Sequence, residues 1–444
     1  MRGLRASISG AGLAALLLAA APAPAGSAAA DAAKPLYVRV GLLIDGGGGP
    51  PRRDMAILVK GDRIESIETQ KALPRPEGAR DLDLSGRTVV PGLIDCHDHL
   101  TFLVDADWKW RPVLRTAADE AILGTVNALA TLRAGFTTVR NVGDSDGTSV
   151  ALRRAVDLGL IEGPRILTAR EIITITGGHA DPLNAFRPDL AIAGRGGIES
   201  GVCNSPDECR AAVRYQVKYG ADLIKIAATG GVLSSGDDLG ARQFSDEELR
   251  AIIGEAHALG RKAAAHAHGT AGIKAAVQAG VDSIEHGSIL DDEAIKMMKE
   301  RGTYLVPTLM AGESVYTNAR NGRLPDYSIA KGLAIWPMMQ QSFRKARAAG
   351  VKIAFGTDSA VSPHGQNAHE FELMVQFGMT PMEAIVAATR SAADLLGRSK
   401  DLGTLEPGKY ADLVALDGDP TRDVSILRKP AAVVQGGRSI DLGK

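Results

Sequence analysis

Cysteine is scarce in this chain, with three among 444 residues, too few for a disulfide framework to carry a fold. Aromatic residues make up only 4%, so the core has to be built from Ala, Val, Leu and Ile. Neither sign of charge prevails. The 51 Lys and Arg stand against 52 Asp and Glu, a net charge of −1, which excludes a broad electrostatic footprint for nucleic acid or an anionic membrane. The 51 glycines and 21 prolines lack a G-x-y period, so they mark turns and not collagen. With 45% hydrophobic and 23% charged residues, the chain is not a disordered one. Beyond residue 30 there is no long uncharged apolar run.

Residues 1–30 read as a secretory signal, with Arg2 and Arg5 as a basic start and an apolar run from Ala11 to Ala21. Small residues follow, with cleavage options after Ala25 or Ala30. The alternative is a membrane anchor, but the run is shorter than the ~20 residues that span a bilayer. The expectation is an exported protein, periplasmic or secreted, with no membrane attachment once the signal is removed. Without this segment the chain carries 49 basic and 52 acidic residues, net −3. Export puts cysteines in an oxidising compartment. Cys203 and Cys209 bracket the turn-rich segment CNSPDEC, and both a local disulfide and two free thiols fit that pattern. Cys96 has no evident partner and reads as a packed strand thiol.

Short β runs lie at both ends: 36–44, 55–60, 63–67 and 87–90, then 411–416 and 431–435. Between them strand candidates recur at 92–97, 136–141, 164–169, 222–228, 262–267, 281–286, 303–307 and 351–357. Amphipathic helices are expected at 117–134, 148–158, 206–219, 245–259, 270–279, 291–301 and 340–349, opened by caps such as Ser205-Pro206 and the Ser245/Glu248 capping box. Eight strands alternating with helices predict an α/β fold, a parallel (β/α)8 TIM barrel over 91–398. Segments 31–90 and 399–444 are expected to form one small β-sandwich built from both chain termini.

His97 and His99 end the first barrel strand, in VVPGLIDCHDHL. Residues i and i+2 of a strand share a face, and barrel active sites lie at the C-terminal ends of the strands. Two such imidazoles can bind one metal, although the motif alone also fits two polar loop histidines. His266 ends KAAAHAHG and His286 ends VDSIEHGS, again at strand ends. Imidazole repeated around one rim points to zinc or a related ion. Asp358 follows IAFGT and fits either a ligand that also moves protons or a helix cap. Lys225 lies inside LIKIAATGG, where a lysine is costly unless paired. An ammonium has no lone pair for a metal, but its carbamate would be an anion with two oxygens. The alternative, an exposed edge strand, conflicts with a closed barrel, which has no edges.

This set resembles the amidohydrolase superfamily in its binuclear, carboxylated-lysine subtype. The resemblance covers residues 36–440, from the PG-x-I-D-x-H-x-H start to L-x-P-G-K-x-A-D-L-V at 405–414. The stretches ADLIKIAATGGVLSSGD, AAHAHG, VDSIEHGS, YLVPTL and PHGQNAHEF are similar to exported imidazolonepropionase-related peptidases. Those cleave Xaa-Pro, Xaa-Arg and Xaa-Lys dipeptides or N-acyl amino acids, and ochratoxin-hydrolysing amidohydrolases share the likeness. The resemblance implies two divalent metal ions, zinc being expected. His97, His99 and Asp358 would hold one ion and His266 and His286 the other, bridged by N6-carboxylated Lys225 and a hydroxide. It also implies a metal-dependent hydrolase that cleaves the amide of a dipeptide or N-acyl L-amino acid, with Asp358 as the proton carrier. A homo-oligomer, up to an octamer, and a small-molecule or dipeptide substrate follow from the same likeness.

Three further residues are candidates for the substrate: His179 in TITGGHAD, which fits a loop histidine equally well; His268, two residues after His266 and able to share its face behind the ligands; and Arg140 at the end of the second strand, a source of positive charge for the pocket. His364 and His369 lie in the loop after the eighth strand, where they fit solvated loop histidines or a part in shaping the pocket, and His257 reads as structural. Two other functions remain open from sequence: a cyclic-amide hydrolase of the imidazolonepropionase or hydantoinase kind, and an exported binding protein that has lost catalysis.

Overall fold

The computed structural model describes residues 34–105, 108–184, 186–190 and 196–443. The expected signal at 1–30 lies outside the described residues. Strands are β1 (Leu36–Leu43), β2 (Arg52–Lys60), β3 (Arg63–Thr69), β4 (Arg80–Pro91), β5 (Leu93–Asp98), β6 (Phe136–Asn141), β7 (Arg165–Thr168), β8 (Leu223–Ala227), β9 (Lys262–Ala267), β10 (Ser283–His286), β11 (Tyr304–Val306), β12 (Leu413–Leu416), β13 (Ala432–Gln435) and β14 (Arg438–Ser439).

The two chain ends meet in a seven-stranded sheet of order β14-β13-β12-β4-β1-β2-β3. The period-2 pattern explains it. Val38 and Val40 of β1, Ile57 and Val59 of β2, Leu413 of β12 and Val434 of β13 all enter one apolar cluster. The expected sandwich is thus a single hydrogen-bonded sheet whose inward side chains gather in that cluster.

The barrel strands are buried on both faces, as parallel strands covered by helices must be. Every residue of β5, β6, β8, β10 and β11 is buried. Two parallel arcs result, β5-β6-β7 and β8-β9-β10-β11. The first seam between them is closed by Ile173 N donating to Lys225 O at 2.8 Å and Ala227 N to Ile173 O at 2.8 Å. At the second seam the expected eighth strand, 351–357, is inserted as a narrow bridging segment. Ala354 N donates to Leu305 O at 3.0 Å, and Cys96 N donates to Phe355 O at 2.9 Å. Gly356 allows this close approach, since a Cβ there would sit 2.3 Å from Val306 and 2.9 Å from the Cβ of His97. The result is a TIM barrel with a separate β-sheet unit.

Six of the expected helices appear close to their sequence bounds, among them Ala117–Arg133, Pro206–Lys218 and Asp246–Ala258, the last with the Ser245/Glu248 capping box formed. The seventh differs. Residues 340–349 are only the tail of a 24-residue helix, Asp326–Ala349, which pairs with an unforeseen helix, Leu309–Arg320. Glu370 holds the start of that helix, accepting from Leu309 N at 2.9 Å and Met310 N at 2.7 Å. Among the described residues no helix is long and apolar enough to cross a membrane.

Cys203 and Cys209 are joined in a disulfide across a separation of 6 residues, and Cys96 is a buried free thiol. The bridge ties the strand-like entry at Cys203, whose N–H bonds Thr174 O, to the first turn of Pro206–Lys218. Mass spectrometry of unreduced protein is expected to yield one linked peptide pair. Two freely alkylated thiols in oxidising buffer would refute the bridge.

Candidate active site

The strand ends of the barrel open into one cavity of about 580 Å³. Its floor carries His97, His99, Lys225, His266, His286 and Asp358, so the whole ligand set expected from sequence is brought together. Two of these residues sit in left-handed backbone, His286 at φ 69 and Asp358 at φ 57. Strict strand alternation would aim Glu285 and His286 to opposite faces. The positive φ re-aims the imidazole so that both residues reach the barrel axis.

Most of the imidazoles are oriented by a bond at Nδ1. His97 donates to Glu285 Oε2 at 2.8 Å and His99 to Gly143 O at 2.9 Å. His286 donates to Thr308 Oγ1 at 2.7 Å, because that hydroxyl already donates to Pro307 O. The tautomer is thereby fixed, and Nε2 of each ring keeps its lone pair. His97 Nε2 and His99 Nε2 lie 3.5 and 3.4 Å from Asp358 Oδ1, and His97 Nε2 lies 3.4 Å from Lys225 Nζ. Ligand atoms of His97, His286 and Asp358 fall within 4.8 Å of one another, as do those of His266, His268 and His286. His268, read from sequence as a substrate contact, therefore stands equally well placed as a ligand.

Burial sets the protonation of the cluster. It drives His97, His266 and His286 well below the ordinary imidazole value, and His99 and His268 down to about 3. Neutral imidazole is the form that ligates metals. Burial also lowers the Lys225 amine to about 8, opposed by the negative charge of Glu285 and Asp358, and lifts the Asp358 carboxyl to about 7, opposed by Lys225. Among the described residues this donor set, all nitrogen and oxygen with its lone pairs converging, fits divalent metal ions of the zinc class.

The three substrate candidates fare differently. His179 lines the cavity, stacks on His266 at 4.1 Å and donates from Nδ1 to Ser234, whose hydroxyl donates to Asp237 at 2.5 Å. Arg140 requires a correction, since it does not line the cavity. Its guanidinium lies in the barrel interior, bonded to Cys96 O, Ser283 Oγ at 3.1 Å and Glu285 Oε1 at 2.8 Å. An arginine at a strand end reads as a pocket cation in sequence, but sequence does not give its depth. His364 is also corrected, because it is buried and bonds Asp98 at 3.0 Å instead of being solvated. His369 bridges Glu313 and Glu372, and His257 pairs with Asp282 at the surface.

Sequence reasoning missed Glu285 and Asp95. Glu285 is fully buried and clamps both Arg140 and His97. Asp95 accepts from His97 N, Thr357 N and Asn367 Nδ2, tying β5 to the closing segment. The one signal for Glu285 was a carboxylate inside an apolar strand. Glu285→Leu is expected to cost about 3–5 kcal/mol of stability by leaving Arg140 buried and unpaired. Adding Arg140→Met should recover much of that loss in urea unfolding, whereas equal instability of single and double variants would rule out the pair as the cause.

Comparison with known proteins agrees with this geometry. The amidohydrolase family model matches residues 88–440. The ochratoxinase of Aspergillus niger is 35% identical over 434 residues, covering 93% of this chain and 88% of its own length. The crystal structure of an Xaa-Pro dipeptidase with methionine bound in its active site superposes with TM-score 0.88 at 41% identity, over 92% of this chain and 100% of that one. A prolidase complexed with N-methylphosphonate-L-proline gives TM-score 0.83 at 31% identity, over 92% and 100% of the two chains. With a family model spanning most of the chain and the barrel, cavity and histidine rim in place, the chain belongs to the amidohydrolase family, as an enzyme that hydrolyses amide bonds of small molecules.

Proposed function

We propose that the protein is a binuclear metal-dependent amidase that cleaves dipeptides or N-acyl L-amino acids and releases a free amino acid. The observation that carries this reading is a lysine, 2% exposed, 3.4 Å from a histidine of the rim inside a cavity with five further histidines and Asp358. A structural lysine would not be buried against an imidazole without a carboxylate bonded to it. As a carbamate it becomes an anion suited to the same cations as its neighbours. The ammonium first gives up one proton, the free amine nitrogen then bonds the carbon of CO₂ and releases a second proton to solvent, and two oxygens replace a charge that could not ligate.

His97, His99 and Asp358 would hold one ion and His266 and His286 the other, with His268 available to the second and carboxylated Lys225 between them. Bound there, a pair of divalent ions supplies Lewis acidity and a nucleophilic water at neutral pH. Asp358 accepts the proton of the attacking water and returns it to the leaving nitrogen, which must be protonated because an amine anion leaves poorly. Glu285, through His97, fixes the ring that faces Asp358. The relatives named for Xaa-Pro cleavage, for a bound proline analogue and for ochratoxin support an amide next to an amino-acid carboxylate.

Export to the periplasm or medium belongs to the same reading, supported by the composition of residues 1–30 and by the Cys203–Cys209 bridge. A homo-oligomer does too, supported by the exposed Ile122 and Val126 one turn apart on Ala117–Arg133. The decisive experiment is a screen of dipeptides and N-acyl amino acids with zinc-reconstituted protein, scored by amino acid released. Ring opening of a hydantoin or imidazolone without such release would replace this reading.

A further inference from the structure

An amidase that releases a free amino acid has to accommodate a carboxylate beside the scissile bond. Among the described residues lining the cavity, only Lys225 and Arg111 carry a side chain that is cationic in water. Lys225 lies inside the ligand cluster. The rim histidines belong to that same cluster, and His179 is tied to Ser234 and stacked on His266. Elsewhere the wall presents Asp144, Glu171 and Asp181, which repel a carboxylate.

We propose that Arg111 binds the carboxylate of the amino acid on the leaving side of the scissile amide, an assignment that rests on the amidase reading above. Arg111 is 7% exposed. Its described bonds come from Nη2, which donates to Thr101 O at 3.1 Å and pairs with Glu120 Oε1 at 2.8 Å, while Nε is buried without an acceptor. Its guanidinium carbon sits over Phe102, 3.8 Å from the ring centroid, and Phe102 in turn meets His99 edge-on at 6.5 Å. One aromatic ring therefore separates this cation from the rim.

The arrangement is one of preorganisation. Glu120, Thr101 and Phe102 hold the plane of the fork before any ligand arrives, so little side-chain freedom remains to be lost on binding. A guanidinium with donors to spare matches a carboxylate in shape and charge. Enclosure in the cavity strengthens the attraction. Repulsion from the acidic wall works in the same direction, disfavouring a carboxylate placed elsewhere in the cavity.

The test compares the best substrate of the screen with its C-terminal amide, on zinc-loaded protein. Wild type should prefer the acid. In Arg111→Met the ratio of kcat/KM for acid over amide should fall about 10- to 100-fold, the range for a hydrogen bond to a charged group, mainly through KM. Arg111→Lys should recover part of the ratio. Arg111→Met combined with Glu120→Gln also removes the buried charge that Arg111 balances, in case the single variant folds poorly. On wild type alone, L-proline and L-phenylalanine should inhibit at least ~10-fold better than their amides. An unchanged acid-to-amide ratio in Arg111→Met, or equal inhibition by acid and amide, overturns the assignment. Hydrolysis of neither substrate class by wild type overturns the amidase reading itself, and the assignment falls with it.

Discussion

Asp358→Asn is expected to keep most of its bound metal while losing at least ~10²-fold in kcat. Asn still offers an oxygen to a cation but is no base at neutral pH. The residue's backbone makes the substitution clean. Asp358 sits at φ 57, a left-handed conformation that Asn tolerates as well as Asp and that Ala does not. The carboxylate has neighbours that a proton carrier needs, with Oδ1 at 3.5 and 3.4 Å from two imidazoles. Burial raises it from the ordinary carboxylate range to about 7. Proton transfer belongs to the transition state, so the loss should appear in kcat more than in KM. Metal content must be measured on the same sample, because loss of an ion would mimic loss of the base. A variant with full metal and near-normal kcat would leave Asp358 only a ligand and move the proton to His179 or solvent.

Lys225→Ala is expected to lose ~10²-fold or more in activity, since an oriented charge at the reacting centre disappears. Alanine also leaves a void where the side chain reached His97. Acetate or propionate should therefore restore part of the activity by supplying two carboxylate oxygens in the same place. Lys225→Met fills that void with an apolar chain, so it should be as inactive and not be rescued. Wild-type activity in Lys225→Met would end the carbamate assignment, and rescue of both variants alike would show that the acid acts elsewhere.

The parts of the molecule that were legible in sequence are those whose signal is local. Each ligand histidine closes an apolar run, so its strand, its end of the strand and its rim could be read together. The helices with caps, such as Asp246–Ala258, were legible for the same reason. What failed was depth and punctuation. Arg140 and Arg111 are both arginines near barrel strands, but only packing decides that the first faces Glu285 and the second faces the cavity. Helix Asp326–Ala349 contains Gly332 and Pro337, which read as breakers, so all but its last turns were missed. The eighth strand was expected at full length over 351–357 but pairs with its neighbour only through the bridge between Ile353 and Leu305. The disulfide was a coin toss in sequence because six residues of separation fix neither distance nor direction.

The two seams of the barrel have a consequence for how the protein is held together. His97 and His99 belong to one arc, Lys225, His266, His268 and His286 to the other, and Asp358 to the segment that closes the circle. Whatever the rim binds is therefore a rivet across both joints, where the backbone ladder is thinnest. Occupancy then enters stability by mass action, growing as RT ln(1 + [ion]/Kd). If the rim holds the proposed ions, a fall in available ion would loosen the same joints that shape the cavity and lower the stability of the folded chain along with its turnover.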